Sequence, residues 1–320
     1  MTSPTVVVFG TGYDDYRTEL DVLAPLGVER IEPVAVDAPN ADARLNAADV
    51  VLVRESPLPA ERIGRLDRCR AIVRYGVGVD NIDLEAAAAR GIYVANVPDY
   101  GSHEVAEHAL ALILATARRI AQRDRAVRAG AWGVGSREPI ARLAGSTLGL
   151  VGFGRIAEAL WRKTAGLGFE ATLVHDPVRT SFPDGVRPVD LESLLAEADV
   201  ISLHAPLTAA TRHLIDADGL AHVRPGAVLV NTARGGLIDE AALLVALDEG
   251  RLRGAGLDVF EEEPLPADHP LRQRPQVVLT DHTGWYSDAS LDELQRGAAT
   301  EAARVLRGEE PENWVNRWAS

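Results

Sequence analysis

The chain has 320 residues, 47% hydrophobic and 25% charged, an ordinary globular balance at about twice a typical domain length, so two domains are expected. Its 33 basic and 47 acidic residues leave a net charge of −14, which weighs against the positive footprint of a nucleic-acid binder but not against an anionic small molecule held by local arginines. One cysteine, Cys69, excludes a disulfide framework; with no secretory pattern at the start and only a short apolar stretch at 109–117, a soluble cytoplasmic protein without membrane contact is expected.

Short β-rich runs alternate with alanine- and leucine-rich helical patterns throughout, which predicts an α/β protein with parallel sheets. The first set of strands reads TVVVFG at 5–10, DVVLVRE at 49–55, AIVRYG at 71–76 and IYVANVP at 92–98. A long helical region follows, roughly 101 to 130, ending at RAGAWG. The second set comprises six runs: TLGLVGFG at 147–154, ATLVHDP at 171–177, DVISLHAP at 199–206, GAVLVNTA at 226–233, RGAGLDVF at 253–260 and QVVLTDH at 276–282. Six is the strand number of a full dinucleotide-binding sheet. A last helix, about 289–306, has no strand to return to and is expected to pack on the first domain. The expected fold is therefore two parallel-sheet domains, Rossmann-like and flavodoxin-like, with an active-site cleft between them. Residues 1–100 with 289–320 would form one discontinuous domain, and 101–288 the domain with the dinucleotide-binding sheet.

GLVGFGRIAEAL places Gly152, Gly154 and Ala157 in G-x-G-x-x-A spacing after a strand and at the opening of a helix. Gly152 would permit the tight turn, and Gly154 would let a pyrophosphate reach the backbone beside Arg155 and Ile156 at the helix start. Asp176 ends the next strand, 22 residues after Gly154, where a carboxylate would bind the adenosine ribose hydroxyls and repel a 2′-phosphate. Arg179 nearby leaves room for NADPH, but the order of strand, glycine turn, helix, strand and acid favours NAD(H).

Three polar residues follow late strands of this sheet. Arg234 follows AVLVNTA, whose Thr232 and Ala233 close the strand; Glu263 follows GLDVFEE; His282 follows VVLTD. The carboxyl ends of a doubly wound sheet share one crevice, so guanidinium, carboxylate and imidazole are expected to converge there. Hydride transfer to a 2-oxo acid needs these parts: a fork that clamps the carboxylate and polarises the ketone, a group that exchanges the hydroxyl proton, and an acid that orients that group.

The chain resembles the D-isomer-specific 2-hydroxyacid dehydrogenase family over essentially its whole length. The matching blocks are YGVGVDNID (75–83), VGFGRIAEAL, LVNTARGGLIDEAALLVAL (229–247), GAGLDVFEEEP (254–264) and DHTGWYS. RYGVGVDNID and HTGWYSDAS look most like the C-terminal-binding-protein branch. The resemblance implies that Arg234, Glu263 and His282 are the catalytic trio and that Asp258 lies near the nicotinamide carboxamide. It also implies that the Val77 and Gly78 backbone after Tyr75 binds the substrate carboxylate, that Trp285 lines the substrate pocket, and that a homodimer forms through about 101–145. Relatives of this type act on small 2-oxo acids, phosphorylated oxo acids or phosphite, and the C-terminal-binding-protein branch also permits an NADH-sensing binding module. One departure is Asp281 where the family has proline before the histidine, which loosens the loop and adds a carboxylate.

HEVAEH at 103–108 approaches a zinc-protease helix motif, but its histidines are five apart and so about 140° apart around a helix. No metal is expected. The arginines at 118, 119, 123, 125 and 128 read as a solvated face or dimer rim. Arg54 and Arg74 end strands of the first domain. Arg74 fits carboxylate contact, and Arg54 is a candidate reader of a second anionic or polar group on the substrate.

Overall fold

The apolar runs form two all-parallel sheets in the computed structural model, which describes residues 3–10, 12–133, 140 and 142–318. The strands of the first sheet are β1 (Val6–Phe9), β2 (Ile31–Val34), β3 (Val50–Val53), β4 (Ala71–Arg74) and β5 (Tyr93–Ala95). Those of the second are β6 (Thr147–Val151), β7 (Ala171–His175), β8 (Val186–Pro188), β9 (Val200–Leu203), β10 (Ala227–Asn231), β11 (Leu252–Leu257) and β12 (Val277–Leu279). Contacts divide the chain into one unit of Met1–Gly101 with Ser287–Ser320 and another of Ser102–Tyr286.

The first sheet has the order β2-β1-β3-β4-β5, the flavodoxin-like doubly wound order. The second runs β12-β11-β10-β9-β6-β7-β8. In chain order that is the 3-2-1-4-5-6 dinucleotide-binding arrangement with a seventh strand added, so the expected count of six is corrected to seven. The two strands missed, β2 and β8, are both edge strands that carry a proline, Pro33 and Pro188. A proline lacks the N–H of a ladder and weakens a strand signal, and β8 has no buried residue to supply an apolar pattern.

Inside the second unit, alternate residues of β10 serve opposite faces: Leu229 packs in one core with Leu203, Ile215 and Leu243, while Val228 and Val230 pack in another with Leu112, Leu148 and Phe153. Burial on both faces is why such strands read as unbroken apolar runs. The expected long helix is two, Ser102–Ala117 and Ile120–Arg128, because Arg119 takes the left-handed conformation (φ 55°) and breaks the ladder.

The last helix, Asp288–Leu306, begins with a capping box in which the Ser287 hydroxyl accepts the Ser290 N–H and Ser290 reciprocates. It packs along helix Arg17–Leu23 in the first unit. Buried Glu19 fastens that contact, accepting from the Tyr75 hydroxyl at 2.7 Å and from Gln295 Nε2 at 3.1 Å. Burial pushes the Glu19 carboxyl above its ordinary range, which suits a group surrounded by neutral partners.

Candidate functional site

At the carboxyl end of β6 the chain turns through Gly152 (φ 84°), where a Cβ would lie 2.8 Å from the backbone of His204 and Ala205. Only glycine fits that crossing of two loops. The side of Gly154, by contrast, is open, with no atom within 4 Å of an added Cβ. Gly154 caps helix Arg155–Thr164 without any side-chain hydrogen bond, so the first helical N–H groups, those of Arg155 and Ile156 included, have no intrahelical acceptor. Ala157 is fully buried and keeps the helix on the sheet.

Asp176, past β7, accepts from the Phe153 N–H at 2.8 Å, Val178 N–H at 2.9 Å and Arg179 N–H at 3.0 Å. Burial works against its charge, but the N–H groups of Phe153, Arg179 and Val178 outweigh it and hold the carboxyl below its ordinary range. The acid is therefore a fixed anion beside the glycine turn. Arg179 is committed elsewhere: it donates to Phe153 O and Glu158 and stacks 4.8 Å over the Phe153 ring. At the end of β10 the Thr232 hydroxyl is buried without a partner, beside Ala233, whose N–H is taken by Asn231 Oδ1 at 3.0 Å. An open glycine edge at a helix N-terminus, a fixed acid and an orphaned hydroxyl fit a dinucleotide. Replacing Asp176 by serine is expected to raise the KM for NADH by roughly 10-fold or more, since hydrogen bonds to a charged group contribute about 1.5–3 kcal/mol. The NADH/NADPH ratio of kcat/KM should fall with it; an unchanged ratio would count against the acid's place in the site.

Arg234, Glu263 and His282 lie past the ends of β10, β11 and β12, three neighbouring parallel strands. Gly235 brings the first two loops together, since a Cβ there would sit 1.8 Å from the Phe260 carbonyl carbon. Asn231, buried at the end of β10, donates from Nδ2 to Arg234 O at 2.8 Å and so braces the arginine loop. The Glu263 carboxylate is held at both oxygens: Oε1 accepts the Phe260 N–H at 2.9 Å, and Oε2 lies 2.6 Å from His282 Nδ1. Burial would raise its pKa, but the bond to His282, the Phe260 N–H and the Arg234 charge prevail and keep it low. An ionised Glu263 is acceptor-only, which assigns the Nδ1 proton to His282 and leaves Nε2 as the ring nitrogen not held by Glu263. His282 itself adopts a left-handed backbone (φ 57°), a strained state that its loop must enforce.

Asp258 does that enforcing. Its backbone O accepts the His282 N–H at 2.8 Å, and its carboxylate accepts from the N–H groups of Thr283 (3.1 Å) and Gly284 (2.9 Å) and from the Thr280 hydroxyl (2.6 Å). Burial opposes the charge, yet His108, Thr280 and the Gly284 N–H overcome it and lower the pKa to about 2. With the folded value below the ordinary 3.8, the stabilisation is complete above pH 4 or so and fades as pH falls toward 2. Asp258→Asn should therefore cost about 2 kcal/mol at neutral pH, less below pH 4, measured by denaturant unfolding across that range. A cost independent of pH would disprove the ionic account. Asn231, Thr280 and His108 were not anticipated from sequence; the only signal was their place at strand ends and, for His108, in a motif set aside for its spacing.

The other residues expected to contact substrate have surroundings of their own. Trp285 is half-buried and meets the Tyr286 ring edge-on at 5.7 Å. In the first unit, Arg54 donates to Gly12 O at 3.2 Å and Glu55 at 3.1 Å and lies 4.9 Å over the Tyr13 ring. Arg74 donates to Tyr75 O at 2.6 Å. The Tyr75 side chain is buried against Glu19, its N–H donates to Val53 O at 2.8 Å and its carbonyl accepts from Arg74, whereas Val77 is exposed and Gly78 half-exposed. Among the described residues no group of three or more His, Cys, Asp or Glu could hold a metal, and no helix is long and apolar enough to cross a membrane.

The family profile "D-isomer specific 2-hydroxyacid dehydrogenase, NAD binding domain" matches residues 110–284. A glyoxylate reductase of Korarchaeum cryptofilum is 41% identical over 275 residues, covering 84% of this chain and 82% of that one. A D-3-phosphoglycerate dehydrogenase of Mycobacterium bovis is also 41% identical, over 90% of this chain, which spans only 55% of that protein. Among solved structures, a D-lactate dehydrogenase of Aquifex aeolicus, complexed with NAD and lactic acid, superposes with a TM-score of 0.88 at 27% identity, covering 98% of this chain and all of that one.

Proposed function

The chain belongs to the D-isomer-specific 2-hydroxyacid dehydrogenase family, and from that premise we propose that this NAD-dependent oxidoreductase works through Arg234, Glu263 and His282. The carrying observation is the 2.6 Å contact of Glu263 with His282 Nδ1, which aims Nε2 away from its anchor. When bound, the nicotinamide supplies hydride to the carbonyl carbon in reduction and accepts it in oxidation. The chain's residues manage the rest. Arg234 clamps the substrate carboxylate and draws charge toward the ketone oxygen. His282 Nε2–H gives its proton to that oxygen as the alcohol forms, and ionised Glu263 steadies the imidazole ring that has lost or regained it. Oxidation of the D-2-hydroxy acid reverses each step.

The names of the glyoxylate reductase and phosphoglycerate dehydrogenase relatives favour a small or phosphorylated 2-oxo acid. We assign Arg54, Arg74 and the Val77–Gly78 backbone to substrate recognition in the first unit, and Trp285 to the substrate tail. Arg54→Ala should then alter the relative kcat/KM for mono- and dianionic 2-oxo acids; unchanged ratios would remove Arg54 from recognition. A cytoplasmic homodimer through about 101–145 is part of this reading, supported by Ile120, Val127 and Trp132, which are 57%, 52% and 92% exposed. Residues 134–139 and 141 of that segment lie outside the described residues.

The deciding experiment follows NADH consumption with glyoxylate, pyruvate, hydroxypyruvate, its phosphate ester and a thioether-tailed oxo acid, and NAD reduction with phosphite. Turnover abolished in a His282 variant supports the reading. HTGWYSDAS favours a second one, an NADH-sensing dimer of the C-terminal-binding-protein branch. Negligible turnover with dimerisation strengthened by NADH would select it.

A further inference from the structure

His103 and His108 of the HEVAEH stretch point to different surroundings: His103 is exposed, while His108 is half-buried beside β12. His108 Nε2 lies 2.8 Å from Thr280 Oγ1 and 3.4 Å from Asp258 Oδ1. Thr280 has a single hydroxyl proton, and at 2.6 Å it is given to Asp258 Oδ1. Asp258 cannot return one, being ionised. Thr280 must therefore accept from His108, which makes Nε2–H the donor. The result is a one-directional relay from His108 to Thr280 to Asp258. Beyond it, successive N–H groups of Thr283 and Gly284 close around the same carboxylate as an anion-binding nest.

From this geometry we infer that His108 is a positioning residue for the reaction proposed above, on which the inference rests: by fixing Thr280 and Asp258 it holds the loop that keeps His282 in its left-handed conformation. The reasoning is steric and directional. Asp258 grips both sides of His282, through its own carbonyl before the imidazole and through its carboxylate after it. If the carboxylate turns, the 283–284 nest turns with it, and the imidazole swings on its 2.6 Å contact with Glu263. Thr280 is the hinge pin, because its N–H is also tied to Leu257 O at 3.0 Å in the sheet. Without the His108 donor the Thr280 hydroxyl is free to rotate away from Asp258. Among the described residues the hydrogen bond and ion pair of His108 go to Thr280 and Asp258 and to none of the three reacting side chains, so its loss acts through their placement.

The test compares H108F, which keeps a ring but no donor, with H108Q, which can extend an N–H toward Thr280, and with T280V, which keeps the shape and removes the link. H108F and T280V are each expected to lower kcat by about 10- to 100-fold, the range for small misplacement of catalytic groups. The KM for NADH should stay within about threefold, and H108Q should recover most of the rate. Because both act through one relay, H108F/T280V should be no slower than either single variant. Wild-type kcat in H108F, or penalties that multiply in the double variant, would overturn the inference. Should H108F fail to fold, H108N replaces it: too short to reach Thr280, it should be as slow as T280V, and parity with H108Q would be equally fatal. H282N assayed alongside separates the two levels. If H282N is slow and H108F is not, only His108 loses its role; if H282N retains full turnover, the catalytic assignment itself falls.

Discussion

Turnover of a 2-oxo acid with NADH is expected to fall by roughly 10²- to 10⁴-fold when His282 is replaced, the share that positioned acid/base catalysis contributes. The choice of replacement matters because His282 sits at φ 57°. Asparagine tolerates that region and alanine does so less well, so His282→Asn separates lost proton transfer from a disturbed loop. Glu263→Gln should be milder, about 10-fold, since the imidazole survives but its ionised anchor at 2.6 Å does not. Binding of NADH, read by fluorescence, should be nearly unaffected in both. A His282→Asn enzyme with near-normal kcat would remove the residue from the chemistry.

Arg234→Lys is expected to reduce kcat/KM by about 10²- to 10³-fold despite conserving charge. A guanidinium offers two parallel donors to a carboxylate, each charge-assisted bond contributing about 1.5–3 kcal/mol, and an ammonium cannot reproduce the fork. Lysine would also lose the 2.7 Å bond to Ala233 O that steers the side chain. Arg234 further helps to hold Glu263 ionised, so the loss should reach kcat as well as KM. Steady-state kinetics on the best substrate decide it: a lysine variant within about threefold of wild type would show that the arginine does not clamp the substrate.

The glycine turn, the paired sheets and the placement of Arg234, Glu263 and His282 after late strands were legible because each has a local signature. A G-x-G-x-x-A turn, a doubly buried apolar run and a polar residue at a strand end need no distant partner to be recognised. The edge strands β2 and β8 were not legible, since prolines and exposure erase the pattern that marks a strand. Nor was the helix break at Arg119, where alanine and arginine propensity alone would have continued the helix.

Partnership was decided by the tertiary structure. Asp258, which the family resemblance placed near the nicotinamide carboxamide, also has both oxygens bracing the His282 loop, 22 to 26 residues away. Arg179, two residues past the Asp176–Pro177 turn, is bound to Phe153 and Glu158, partners 26 and 21 residues away. His108, 172 residues from Thr280, could not be tied to it by any spacing rule. By itself the sequence determined the fold class, the family and the edge of the sheet where polar groups gather, because periodicity and turn chemistry are local. Which of those groups hold one another, and in which direction each proton points, was decided only when the parallel strands brought distant loops within hydrogen-bonding distance.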